Sequence, residues 1–487
     1  MIEALPPAPR PAEGLWSPRH RTLTIGLVLT ITLVAFEALA VATIMPIVAR
    51  DLGGIQLYGW VFSAFFLGSL LGIVIVGGLI DQGGLVRPFL GGLGLFSIGL
   101  IGGGLAPSME VLVGARFIQG LGAGAIPPIA YVSIGRALPV DLRPRMFATL
   151  STAWVLPGVI GPAVSGIIAE QLHWRVVFLG LLPLIALAGV MTLPGIRRLP
   201  AVPAEEVSSD AATARARLGP AVLVAVGAGL TLAGLGGAQP AYATALVAVG
   251  ALLTIPAYRR LTPAGTLRVE RGLPAAVLLR GLLTMMFFCA DAYVPLALQD
   301  WRGVPAAISG VALTAATLSW TGGAWIQAHR IQRIGARRFV TVGFLTTGLG
   351  VLGFAAALSP AVPVAVGIVS WAIAGLGMGL SYSPLSLVVL AEAEPTAQGA
   401  ATSGLQLSDV LGTAFGTGIG GAFVAAGHRL GWEAWIGLAG AFAAAVIVSA
   451  VGAVLSARLP DARARPAAAP RTERLQRRGV VPAEADR

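Results

Sequence analysis

Residues 29–46 read LTITLVAFEALAVATIMP, an apolar run that carries one carboxylate, Glu37, near its middle. The run belongs to a longer stretch, 22–45, preceded by Arg10, Arg19 and Arg21. That stretch is too long for a signal-peptide core and lacks an A-x-A cleavage site, so it reads as a retained span. Apolar runs of this kind recur from end to end, each long enough as a helix to cross a bilayer core of about 30 Å. Of the 487 residues, 56% are hydrophobic and 11% charged, where a soluble chain would carry about 25%. The mean hydropathy is +0.83. The composition implies an all-α polytopic membrane protein; a spanning β-barrel would show short alternating segments instead.

Expected spans are 22–45, 57–79, 88–106, 110–134, 147–169, 176–196, 218–235, 241–257, 273–297, 305–327, 339–358, 362–390, 399–425 and 434–456, fourteen in all. All 33 basic residues are arginine; lysine and asparagine are absent. Threaded from a cytoplasmic N-terminus, 27 arginines fall in cytoplasmic segments and 4 outside, so the positive-inside rule places both termini in the cytoplasm. Segments 218–235 and 241–257 are short and Ala/Gly-rich, and a re-entrant hairpin is the alternative to two crossings. The expected organisation is an N-terminal tail (1–21), a six-helix bundle (22–198), a polar linker (199–217), a two-helix hairpin (218–258), a second six-helix bundle (259–457) and a disordered basic tail (458–487).

Several chemistries are excluded. Without lysine there is no standard P-loop. A single cysteine, Cys289, precludes an internal disulfide, and the four histidines have no ligand spacing. No nucleophile–base pair emerges, so an enzyme is not expected. Neither is a metal, a cofactor or a nucleic-acid partner.

The halves repeat. FIQGLGAGAIPP (117–128) answers AIAGLGMGLSYS (372–383), so that Gly120, Gly122 and Gly124 match Gly375, Gly377 and Gly379 at a shift of 255 residues. At the same shift Gly161 and Gly166 meet Gly416 and Gly421. Small residues pack any pair of membrane helices, but repeated halves facing one another also place a mid-membrane substrate site in many secondary transporters.

On these motifs the chain resembles the major facilitator superfamily, and within it the fourteen-span drug:proton antiporters. LVGARFIQGLGAG (112–124) is similar to the span-4 signature, with Arg116, Gln119, Gly120 and Gly122. PGVIGPAVSG (157–166) is similar to the antiporter signature of span 5, with Gly161, Pro162 and Gly166 in place and Pro157 and Ser165 replacing usual glycines. HWRVVF (173–178) matches the W-R-x-x-F entry to span 6, and Glu37 takes the place of a span-1 aspartate. GGLIDQGGLVRP (77–88) keeps Gly77, Asp81, Gly84 and Arg87 of the loop that, in the family, locks the cytoplasmic side. The second-half copy, QRIGARR, has Arg333, Gly335, Arg337 and Arg338. The resemblance implies a major-facilitator fold: two pseudo-symmetric six-helix bundles with two extra central helices.

Within the spans, charges single out function. An ionised residue at mid-depth costs on the order of 3 kcal/mol or more. Glu37 is read as a proton-coupling carboxyl that would also attract a cation; the alternative is a structural hydrogen bond to a neighbouring helix. Arg116 keeps its charge and needs an acceptor; the resemblance implies proton coupling, the alternative being helix packing. Asp409, near mid-depth of span 13, is a proton or substrate candidate, and Trp154 is its counterpart by the repeat. Asp291 faces either an outer vestibule or interfacial water. Arg280 is expected to snorkel inward, with pairing to an acid as the alternative. Gly161-Pro162 is expected to bend span 5. Trp154, Phe287, Phe288, Trp320, Trp371 and Tyr382 are candidate pocket aromatics.

The expected function is proton-driven export of lipophilic, cationic compounds by alternating access, from a monomer in the bacterial cytoplasmic membrane. Alternatives are an exporter of an endogenous lipid or secondary metabolite, a proton-symport uptake system, and a transport-dead sensor.

Overall fold

A computed structural model describes residues 14–18, 20–139, 142–199, 204–237, 240–394 and 397–460. Most of both expected tails, 1–13 and 461–487, lies outside the described residues. Among the described residues the chain is helical and without strands, as expected where lipid offers the backbone no hydrogen bonds. The first half comprises α1 (Arg21–Leu52), α2 (Tyr58–Gly83), α3 (Val86–Gly104), α4 (Met109–Ala137), α5 (Arg143–Thr152), α6 (Val155–Gln171), α7 (Trp174–Leu179) and α8 (Leu181–Arg197). Then come α9 (Ala204–Gly236) and α10 (Pro240–Leu261). The second half comprises α11 (Leu273–Asp291), α12 (Val294–Leu296), α13 (Ala306–Ile334), α14 (Ala336–Ala356), α15 (Val364–Glu392), α16 (Gln398–Arg429) and α17 (Ala434–Leu455).

Twelve helical stretches among the described residues are long and apolar enough to cross a membrane, two fewer than the fourteen expected. The other two expected spans correspond to α6 and α13. Helix α6 has only 17 residues, because a turn at Ala153–Trp154 separates it from α5. Helix α13 has 29 residues but is diluted by Ser, Thr, Gln, His and Arg. In segments 218–235 and 241–257, α9 and α10 run 33 and 22 residues, and each holds a stretch long and apolar enough to cross a membrane. Helix α9 also begins at Ala204, inside the expected polar linker. Its AEEVSSDAATARARL start is polar, but Ala, Glu and Arg are strong helix formers, so the helix extends past its apolar part. Helix α6 runs through Gly161 and Pro162, and the interruption of the helix lies at 153–154.

Glycine decides the packing within each half. Lipid gives helices no hydrophobic reason to associate, so close backbone contact must hold them. A Cβ on Gly120 would lie 2.0 Å from the Phe65 carbonyl oxygen, and one on Gly124 2.2 Å from that of Ser69. Their repeats, Gly375 and Gly379, meet the Ala316 and Trp320 carbonyls in the same way. Gly122 touches Phe96 and Gly92 of α3, as Gly377 touches Thr347 and Gly343 of α14. Helix α4 is thus wedged between α2 and α3, and α15 between α13 and α14. The partners repeat 251 residues apart, not 255, so the repeat is real but its register differs between helices. Gly84 (φ 108°) and Gly335 (φ 89°) also stand 251 apart, each turning the chain into the next helix with a backbone angle that favours glycine.

The halves are joined toward the face where α1 ends and α2 begins. Ser63 donates to the Ala414 carbonyl at 3.0 Å and lies 3.0 Å from the Thr417 hydroxyl. Tyr58 donates to Ala292 at 3.1 Å and Gln299 to Thr43 at 2.8 Å. Glu170 accepts from the Ala306 amide, and Arg50 pairs with Asp300 at 3.5 Å. Gly166 and Gly310 bring α6 and α13 into contact. Nearer the other face, Tyr131 of α4 is exposed and Tyr382 and Asp409 of the second half are partly buried. Helix α9 lies against α2 and α16, and α10 packs on α9. Leu67 and Leu70 pack with Ala221, Val224, Ala225 and Ala228, while Tyr258 and Ser408 share a hydrogen bond at 2.6 Å.

Candidate functional site

Two separate polar centres lie at membrane depth, each built around an arginine. In the first half, Glu37 sits midway along α1 with no exposed surface, and Arg116 of α4 is 2% exposed. Arg116 Nη1 donates to Glu37 Oε1 and, at 2.6 Å, to Gln119 Oε1 one turn further along α4. Its Nε donates to the Val61 carbonyl at 3.3 Å, and the guanidinium stands 4.3 Å from the Phe65 ring centroid. The acceptor that Arg116 requires is therefore Glu37, and neither charge is left alone in lipid. One oxygen of Glu37 and the amide nitrogen of Gln119 are buried with no partner among the described residues.

The second centre corrects the expectation for Arg280. Its side chain does not snorkel; it is 3% exposed and turns into the second half. The guanidinium lies 3.5 Å from the Tyr382 ring centroid, and Nη2 donates to Ser386. The Tyr382 hydroxyl donates to Asp409 Oδ2 at 2.8 Å, so one tyrosine contacts both the arginine and the carboxylate. Arg280 Nε and Nη1 and Asp409 Oδ1 have no partner among the described residues. Tyr131, from the first half, is within electrostatic reach of Asp409.

Five of the six candidate aromatics are brought together. Phe287 stacks on Trp371 at 5.1 Å and meets Trp320 and Phe288 edge-on at 5.6 and 5.3 Å. Trp320 in turn contacts Tyr382 at 5.4 Å. Trp371 and Phe287 are buried behind, whereas Phe288, Trp320 and Tyr382 keep some exposure. Trp154 is not part of this group; it is exposed at the break before α6. By the repeat Trp371 is the counterpart of Arg116, so the second half carries an aromatic where the first carries a charge. Asp291 closes α11, partly buried, beside Trp371. Arg280, Thr284, Phe287 and Asp291 follow one another at helical spacing on one face of α11, a signal present in the sequence but hidden by its surrounding leucines.

The span-5 motif lies at the junction of the halves. Pro157, Gly161, Pro162 and Gly166 are all buried. Gly166 approaches the Ala307 backbone, Pro162 faces Gly310, and a Cβ on Gly161 would lie 3.5 Å from the Phe36 ring of α1. Of the motif expected in the loop after span 2, Gly77 is partly buried within α2, Gly84 makes the turn and Arg87 is exposed at the start of α3; the Asp81 side chain lies outside the described residues. The span-4 residues Gln119, Gly120 and Gly122 serve the Arg116 centre and helix packing respectively.

Two glycine-packed helical halves, joined toward one face and holding arginine–carboxylate centres in their interior, define a membrane transporter. The chain belongs to the Major Facilitator Superfamily, whose family model matches residues 26–354. It is 27% identical over 448 residues to a probable multidrug-efflux transporter of Mycobacterium tuberculosis, covering 83% of this chain and 88% of that one. It is 30% identical over 437 residues to a cephamycin export protein of Amycolatopsis lactamdurans, covering 82% and 84%. Among solved structures its fold is similar to a POT-family transporter, with a TM-score of 0.65 at 16% identity over 90% of this chain and 98% of that one. A bacterial homologue of the lysosomal transporter Spinster, solved inward-facing and unoccupied, also has a TM-score of 0.65, at 15% identity over 90% and 96%.

Proposed function

We propose that this transporter is a proton-coupled exporter of lipophilic, cationic compounds, working by alternating access. The observation that carries the reading is the Glu37–Arg116 pair, an ionisable carboxyl held in a closed, apolar part of the first half. A proton arriving at Glu37 would neutralise the carboxylate and release Arg116, leaving it Gln119 and the Val61 carbonyl. Such a change alters the packing of α1 against α4 and α2, and so offers a way to couple proton entry to movement of the halves. The relatives named as multidrug exporters support the direction. The arginine bias supports a cytoplasmic position for both termini, which puts the joined face outside; in this reading the exposed Tyr131 and the partly buried Tyr382 and Asp409 line an opening between the halves toward the cytoplasm. In this reading α6 and α13 also cross, giving fourteen spans, and 22–198 and 259–457 rock as bundles about the central opening, in a monomer. The membrane potential supplies about 2.3 kcal/mol per charge per 100 mV.

The test is reconstitution in liposomes with an imposed pH gradient and a fluorescent lipophilic cation. Wild-type protein should move the dye with the gradient, and Glu37→Gln, folded by size-exclusion, should reduce that movement at least about tenfold. Equal transport by both would remove Glu37 from coupling. A second reading, export of a compound the cell itself makes, is favoured by the relative named for cephamycin export. It shares the coupling centre and predicts that such compounds compete with the dye.

A further inference from the structure

The two buried arginines are used differently. Arg116 directs its nitrogens to Glu37, Gln119 and the Val61 carbonyl, forming a closed pair inside the first half. Arg280 is as deeply buried, yet two of its three nitrogens have no partner among the described residues, and no ion pair consumes its charge there. Asp409 is the acid within electrostatic reach, but Tyr382 takes one of its oxygens while its ring lies against the guanidinium. The other Asp409 oxygen is likewise unpartnered. A buried guanidinium with open donors is costly unless something accepts from them. An arginine fork suits a carboxylate or another planar oxyanion. Beside it, Asp409 offers a place for a basic nitrogen, and the partly exposed Trp320 and Phe288 add flat apolar faces.

We propose that Arg280 and Asp409 together form a subsite for amphoteric aromatic compounds, Arg280 receiving the anionic group and Asp409 the basic one. Purely cationic compounds then bind the same opening less well, because the arginine charge offsets that of Asp409. The proposal rests on the reading of the opening between the halves as the substrate path, and it refines the substrate class from lipophilic cations to molecules carrying both charges. It also gives the two centres different roles. The closed one exchanges protons with no ligand contact, and the open one reads the ligand.

A matched pair of dyes tests this. Rhodamine 110 carries a free carboxyl beside its cationic xanthene, and rhodamine 123 is its methyl ester, which lacks the anion. Binding of each to the purified full-length protein in lipid nanodiscs is measured by fluorescence polarisation, with no pH gradient. Wild type should bind rhodamine 110 about tenfold more tightly than rhodamine 123, the scale of one charge-assisted hydrogen bond. Arg280→Gln should erase that preference by weakening rhodamine 110 about tenfold while leaving rhodamine 123 bound at least as tightly as by wild type, so that the ester itself reports an intact site. Arg280→Lys, which keeps the charge but not the fork, should retain part of the preference. The proposal is overturned if wild type shows no preference, whether both dyes bind or neither does. It is also overturned if Arg280→Gln and Arg280→Lys weaken both dyes alike, which is the signature of a packing role. Because no gradient is applied, a failed preference leaves proton-coupled export standing, and a failed gradient experiment leaves the preference intact.

Discussion

Glu37→Ala is expected to destabilise the protein by about 3–5 kcal/mol, the cost of leaving one member of a buried ion pair alone. Arg116→Ala should cost less, although it breaks the same contact. The asymmetry lies in proton chemistry. A carboxylate left without its partner can take up a proton and become neutral, whereas a guanidinium keeps its charge under all accessible conditions. In Glu37→Ala, Arg116 would retain only Gln119, the Val61 carbonyl and the face of Phe65. Replacing both, as Glu37→Gln with Arg116→Gln, removes the charge and should recover most of the lost stability. The double variant should still fail to couple transport to a pH gradient, which separates the structural from the proposed coupling role. Thermal unfolding of the four proteins in one detergent is the measurement. A greater loss from Arg116→Ala, or a double variant no better than Glu37→Ala, would contradict the argument.

Gly122→Leu should abolish assembly of the first half, and Gly377→Leu that of the second. A Cβ on Gly122 would lie 2.3 Å from the Phe96 backbone nitrogen and 2.4 Å from the Gly92 carbonyl oxygen. On Gly377 it would lie 2.3 Å from the Thr347 hydroxyl and 2.5 Å from its backbone nitrogen. The obstructing atoms are mostly backbone, so the helices must separate, and overpacking costs of about 1–3 kcal/mol are a lower bound. Gly114 is the control, because it lies on the same helix as Gly122 and a Cβ there would meet nothing within 4 Å. Size-exclusion profiles in mild detergent should show aggregated Gly122→Leu and Gly377→Leu beside a monodisperse Gly114→Leu. Normal profiles for the first two would mean that the close approaches are not what holds α4 and α15 in place.

Much of the architecture is legible in the sequence because lipid is a solvent that acts locally. Each helix facing it must be apolar along its own length, so a window of residues is enough to locate it. The same logic falters at α6, which the turn at 153–154 shortens to 17 residues, and at α13, whose Ser, Thr, Gln, His and Arg dilute its hydropathy. It falters again at α9, whose polar start reads as a linker although its residues favour helix. The glycine repeat is visible, but its register is not: a shift of 255 along α4 and α15 becomes 251 for the helices they touch. Insertions in the intervening loops change the count without changing which backbones meet.

The sequence by itself determined a helical membrane protein with internal repetition, and it singled out Glu37, Arg116, Asp291 and Asp409 as charges that membrane depth makes costly. Tertiary structure alone decided which of them meet. Glu37 and Arg116 stand 79 residues apart and pair only because α1 and α4 cross at that level. Arg280 could reach interfacial water by length and position, yet Tyr382 and Ser386 draw it inward. Phe287 and Trp371 likewise stack only once α11 and α15 are packed. The hydropathy of a segment is a sum over its own residues, whereas the partner of a charge depends on helix crossings set by side chains elsewhere in the chain.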